Sequence, residues 1–181
     1  MMSSKPSLQP GDVFVVEGSM GLVSAAIRAA ERFWSADNEA HHGHAGIITD
    51  ISGGTLEALW TVRQGHLSRY SGQLILIARP TATIFSGASI NPVVVKMALD
   101  AIAAEHLGRI YPVWRLPLHL VPPLAKYCHL GRWLVCSELV AKYLVYIAAR
   151  CEPYTGVNPD TLADEWVRWK NFEILYQGEW P

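Results

Sequence analysis

Three side chains in this sequence are of the types that together can cleave acyl bonds: the thiol of Cys136, the imidazole of His44 and the carboxylate of Glu57. Cys136 stands in "VCSELVAKYL", where an apolar approach gives way to a helical pattern, so it falls at a helix N-terminus. Unpaired backbone N–H groups and the positive end of the helix dipole favour thiolate over thiol at such a position. Two readings of the residue are open here. Free cysteine is among the residue types most often buried and packs as a small hydrophobe. As a nucleophile it needs a base, and the base needs a group to orient it.

His44 lies at the start of an apolar, β-rich run, "HAGIITD", and Glu57 lies thirteen positions later (57 − 44) in a second run, "TLEALW". The "ISGG" between them signals a hairpin. Side chains alternate across a strand, so a loop with an even number of residues sets Glu57 on the face of His44, and an odd one sets it on the other. A four-residue loop, Asp50 to Gly53, pairs Glu57 with Gly46, whose missing side chain leaves room for a carboxylate to reach the imidazole. A carboxylate inside "LEAL" is unfavourable to bury without a partner, whereas exposure on an antiparallel sheet is the plainer reading. His44 alone also has a plain reading, as a strand-end histidine bonded to backbone.

The other polar groups converge less well. "HHGH" brings His41, His42 and His44 together, but they alternate poorly and no further ligand group stands at a recognised spacing, so no metal is expected. Cys128 and His129 are an adjacent thiol and imidazole, yet neighbours on an irregular segment seldom point at one site, and no carboxylate is near. Cys151 reads as packing or surface. The odd count of three cysteines, without a C-x-x-C pair, argues against a disulfide framework or a structural zinc. No G-x-S-x-G elbow offers a serine nucleophile.

Elements able to carry these residues alternate along the chain. "PGDVFVVEG" predicts a strand opened by a Pro-Gly turn, and "LVSAAIRAAERFW" predicts a helix. The two hairpin runs and "QLILIARP", stopped by proline, are expected to be three consecutive antiparallel strands. Asn91 as N-cap, Pro92 in the first turn and Gly108 as the stop predict a helix from about 92 to 107. The proline- and aromatic-rich stretch from 109 to 135 takes no assigned structure. The helix after Cys136 places Leu139, Val140, Tyr143, Leu144 and Ile147 on one face, and "NPDTLADEWVRW" followed by "NFEILY" predicts a short helix and a final strand. The fold class is α+β: a small antiparallel β-barrel or sheet packed with helices, in one domain spanning residues 1–181.

Composition narrows the partners. Half the residues are hydrophobic, and 15 basic and 16 acidic groups, mixed along the chain, leave a net charge of −1. That balance offers no electrostatic footprint for nucleic acid or anionic membrane. The opening "MMSSKPSLQPGD" carries no apolar segment of the secretory kind, and no apolar run approaches the roughly 18 residues that span a bilayer. A soluble, cytoplasmic protein is the default expectation.

In order along the chain, "PGDVFVVEG", "IRAAERFW", "HAGIITD", "TLEAL", "NPVVVKMALDAIAAEHLGRIY", "CSELVAKYL" and "NPDTLADEW" resemble the circularly permuted NlpC-like, papain-like hydrolases of the YiiX type. The resemblance covers nearly the whole chain. It implies a papain-like architecture in which a histidine on the first strand of a small barrel, a polar residue on the next strand and a cysteine at a later helix N-terminus form the catalytic set. The matching residues are His44, Glu57 and Cys136. Permutation accounts for the base preceding the nucleophile by 92 positions (136 − 44). The layout is more distantly similar to lecithin:retinol acyltransferase, in which cysteine and histidine serve acyl transfer.

Tyr111, in "GRIYP", falls where the family often has a tyrosine near the active site, and so is either a substrate contact or core. The segment "YPVWRLPLHLVPPL" is too apolar to be left in water and too rich in proline for a helix; it either packs on the domain or walls the cleft, with Trp114 as a substrate contact. The resulting expectation is a cysteine peptidase or amidase acting on a peptide, a cell-wall peptide or an N-acyl substrate, with action on the cell envelope included. Cys136 is the nucleophile, His44 the general base and acid, Glu57 its orienting group, and no metal or organic cofactor is required. An acyltransferase or lipid thioesterase using the same residues is one alternative, and a catalytically silent binding module is another.

Overall fold

Alternation along the strands produces a sheet with apolar side chains on both faces. A computed structural model of the chain describes residues 6–17, 42–110, 134–151, 154 and 157–181. Six strands, β1 (Val13–Glu17), β2 (His42–Ile48), β3 (Gly54–Ala58), β4 (Val62–His66), β5 (Leu74–Pro80) and β6 (Phe172–Glu179), form one antiparallel sheet in the order β4-β3-β2-β1-β5-β6. Helices α1 (Pro92–His106), α2 (Cys136–Tyr146) and α3 (Pro159–Arg168) accompany it, and a 3-10 turn, Leu67–Tyr70, joins β4 to β5. The architecture is α+β.

Val13, Val15, Ala45, Ile47, Leu56 and Ala58 share one cluster with Ile102 of α1, Leu139 and Leu144 of α2, and Trp166 of α3. The alternating residues Phe14, Val16, Ile48, Ile75 and Ile77 form a second cluster with Leu67 and Tyr70 of the 3-10 turn and with Trp180. The period of two thus serves two cores, one under the helices and one on the opposite face.

Of the barrel or sheet expected, the described residues form the sheet, open with β4 and β6 at its edges. One expectation about strand order is corrected. "QLILIARP" is not the third strand of the hairpin: β4, "VRQGH", takes that place, and β5 pairs instead with β1, from Val13–Ala78 to Glu17–Leu74. Polarity explains the omission. β4 buries only Val62 and carries Arg63, Gln64, Gly65 and His66, so it lacks the apolar alternation that marks a central strand.

The helices begin where their caps predict. Asn91 Oδ1 accepts the Val93 N–H at 2.8 Å, and Pro92 follows it. Asn158 Oδ1 likewise accepts from Thr161 N–H at 2.7 Å at the start of α3. Helix α2 is buried all round from Cys136 to Leu144, beyond the single apolar face read from its sequence. Its polar residues are accordingly paired: the Ser137 hydroxyl donates to the Val157 carbonyl at 2.5 Å, Glu138 accepts from Val135 N–H at 3.1 Å, and Lys142 Nζ donates to Glu105 at 2.7 Å. The helix expected at 22–34, the segment 111–133 and with it Tyr111, Trp114 and Cys128 lie outside the described residues. No described helix is long and apolar enough to cross a membrane.

Candidate active site

The site is assembled by a turn, a parting of two strands and a helix start. Asp50 Oδ1 accepts the N–H groups of Ser52 at 2.8 Å and Gly54 at 3.1 Å, and Gly53 adopts φ +98°, a conformation open to glycine. This closes the loop at four residues, with Ile48 opposite Thr55 and Gly46 opposite Glu57. A slip of one residue would send Glu57 to the other face of the sheet. In the observed register Glu57 Oε2 stands 3.0 Å from His44 Nε2, with both side chains buried.

The carboxylate has a built seat. Besides His44, it accepts the hydroxyls of Thr55 and Tyr70. Two glycines make the space: a Cβ on Gly46 would lie 2.5 Å from the Phe14 ring and 3.1 Å from Glu57 Cγ, and one on Gly65 would lie 2.7 Å from Glu57 Oε1. Thr55, two residues before Glu57 on the same strand face, was readable as a partner. Tyr70 and Gly65 were not, because one comes from a short 3-10 turn and the other from the polar edge strand.

Pairing of β2 with β3 ends at Gly46–Glu57, and the N–H of Ala45, the next residue back along β2, is directed at the Cys136 sulfur. Cys136 is the first residue of α2, and the N-cap before it is Val135, whose side chain makes no capping hydrogen bond. The Ser137 N–H also serves the sulfur. His44 completes the arrangement with a side-chain hydrogen bond to Cys136. Because Glu57 takes Nε2, Nδ1 is the nitrogen left for the thiol. The two readings of Cys136 therefore coexist: it is buried in the main core at 5% exposure, and it is bonded to an imidazole.

Burial disfavours charge on all three groups, and each is overruled by its neighbours. At His44 the hydrogen bonds and charges of Cys136 and Glu57 outweigh burial and bring the imidazole up to about 9. At Cys136 burial pushes the thiol up, but His44 and the Ala45 and Ser137 N–H groups prevail and hold it below its ordinary value. Glu57, pushed up by burial, is brought below the ordinary carboxyl value by His44, Thr55 and Tyr70. The three shifts run the same way, each towards the charged form: imidazolium at His44, thiolate at Cys136 and carboxylate at Glu57. Such a set can attack an electrophilic carbon through sulfur and deliver a proton to what leaves.

The remaining candidates separate from this cluster. His42 sends its Nδ1 to Asp160 Oδ1 at 2.8 Å, tying the start of β2 to α3, and does not join His44. No group of three His, Cys, Asp or Glu side chains suited to a metal ion is found among the described residues. Cys151 is exposed. No protein-family model matches the chain, and no curated protein matches it.

Proposed function

We propose that the chain is a cysteine-dependent hydrolase of amide bonds, with a circularly permuted NlpC-like, papain-like arrangement, acting on a peptide or N-acyl substrate. The observation that carries this reading is the Cys136–His44–Glu57 relay, in which the imidazole is hydrogen-bonded to the thiol and held from behind at 3.0 Å by a buried carboxylate. The Cys136 thiolate attacks the carbonyl carbon, forming a C–S bond and moving the carbonyl electron pair onto oxygen. The Cys136 backbone N–H, in the first turn of α2, serves as one oxyanion donor in this reading. Collapse breaks the C–N bond as His44 gives its proton to the leaving nitrogen. Neutral His44 then takes a proton from water, hydroxide attacks the thioester, and the thiolate departs. Glu57 holds the ring and balances the imidazolium charge throughout.

The test is intact-mass and peptide-mapped detection of an acyl adduct after incubation with peptides, cell-wall peptides, N-acyl amides and acyl thioesters, with Cys136→Ala as control. The expected result is amine release from an amide with the adduct on Cys136. Acyl transfer or thioester turnover without amide cleavage would assign the same residues to an acyltransferase or thioesterase. No adduct on Cys136 from any of them would overturn the reading.

A further inference from the structure

The hydrogen bonds around Glu57 continue to a residue outside the relay. Tyr70 is fully buried, and its hydroxyl donates to Glu57 Oε2, the oxygen that His44 also reaches. Its ring stacks on the His44 ring with centroids 5.9 Å apart and planes 30° apart, while Phe14 meets that imidazole edge-on at 6.4 Å and 65°. One phenol therefore touches both halves of the dyad, the imidazole through its ring and the carboxylate through its hydroxyl.

We propose that Tyr70 is a positioning residue: by donating to Glu57 while stacking on His44, it fixes the carboxylate that orients the imidazole and so keeps Cys136 reactive. This rests on the reading of Cys136 as nucleophile and His44 as its base. The neutrality of the donor matters. An arginine on Glu57 would stabilise the carboxylate and also cancel the negative field felt by His44. Tyr70 and Thr55 stabilise the ionised carboxylate without adding charge, so its field remains directed at the imidazolium. Arg63 stands opposite Glu57 in the β3–β4 pairing and Arg69 precedes Tyr70, but none of the three hydrogen bonds just described comes from an arginine. Burial and the nearby carboxylate push the phenol well above its ordinary value, so it stays protonated and remains a donor over the working pH range.

The readout is the pH profile of Cys136 alkylation by iodoacetamide, mapped by peptide mass. Tyr70→Phe keeps the ring and removes the donor; it should move the profile up by about one pH unit, the size expected for losing one hydrogen bond to a charged group. Because Tyr70 acts through Glu57, the same substitution made on top of Glu57→Gln should add no further shift. An equal shift in both backgrounds would make Tyr70 a packing residue and overturn the inference. His44→Ala separates the two layers. If it moves the profile while Tyr70→Phe does not, Tyr70 has no positioning role and the relay stands; if His44→Ala leaves the profile unmoved, the relay itself fails and the inference with it. Should Tyr70→Phe not fold, Thr55→Val removes the other neutral donor and must shift the profile the same way, and an unmoved profile there overturns the inference.

Discussion

Two buried histidines, each beside a carboxylate and each bonded to a residue of α2, end in opposite states. His44 meets Cys136 at the first position of the helix and Glu57 at 3.0 Å, and is raised to about 9. His106, at the end of α1, accepts from Lys142 Nζ at 2.9 Å and is lowered to about 4, by burial first and by the Lys142 charge second. Glu105 offsets this only in part, being bonded to that same ammonium at 2.7 Å. The lesson is that the sign of the nearest neighbour decides what a buried imidazole can do. Beside a thiol and a carboxylate it holds its proton, as the proposed acid–base role requires. Beside a lysine that also lies over the Tyr146 and Tyr154 rings, it becomes a neutral acceptor that fastens α1 to α2.

The largest effect that tests this contrast is at His44. His44→Ala should lower turnover by more than about 1000-fold, since it removes both base and acid, with the circular dichroism spectrum kept. His106→Gln should leave turnover near that of the wild type. Equal losses in the two variants would erase the distinction between a catalytic and a fastening histidine.

Next in size is Glu57→Gln, expected to lower turnover by about 10- to 1000-fold while the protein still folds, because an amide accepts a hydrogen bond but balances imidazolium less well. A steady-state assay paired with a thermal melt checks both halves. Loss of folded protein would make Glu57 chiefly a structural residue of the second core.

The smallest effect concerns acid stability. In the unfolded chain His106 takes its proton near the ordinary imidazole value of 6.5, whereas in the folded protein it stays neutral down to about 4. The unfolded state binds more protons in that window, so stability falls as pH drops from 6.5 towards 4, by on the order of 2 kcal/mol from this group. His44 has the reverse sign: its contribution is fully present below 6.5 and is lost as pH rises through about 9. Urea melts between pH 4 and 7 should show a shallower acid decline in His106→Gln than in the wild type, and parallel curves would contradict the assignment.

Much of the site was legible because it depends on short-range rules. The Asp50–Gly53 turn sets the parity that brings Glu57 to His44, and the passage from apolar residues to a helical period locates Cys136 at a helix start. The supporting parts were less visible for physical reasons. Tyr70 reaches Glu57 from a four-residue 3-10 turn that carries no periodicity. Gly65 lies on a strand too polar to register as one, and omitting that strand moved β5 to the wrong side of the hairpin. The all-round burial of α2 was likewise hidden, since Ser137, Glu138 and Lys142 read as a polar face until their partners on distant segments are known.

The most direct test of the central claim, a thiolate–imidazolium pair backed by Glu57, is a nuclear magnetic resonance titration of the His44 ring in the wild type and in Cys136→Ala. The wild-type ring should remain protonated at neutral pH and titrate at about 9, and removing the thiol should lower that value markedly because one of its two anionic neighbours is gone. A His44 ring that is already neutral at pH 7, or that titrates identically with and without the Cys136 sulfur, would contradict the account.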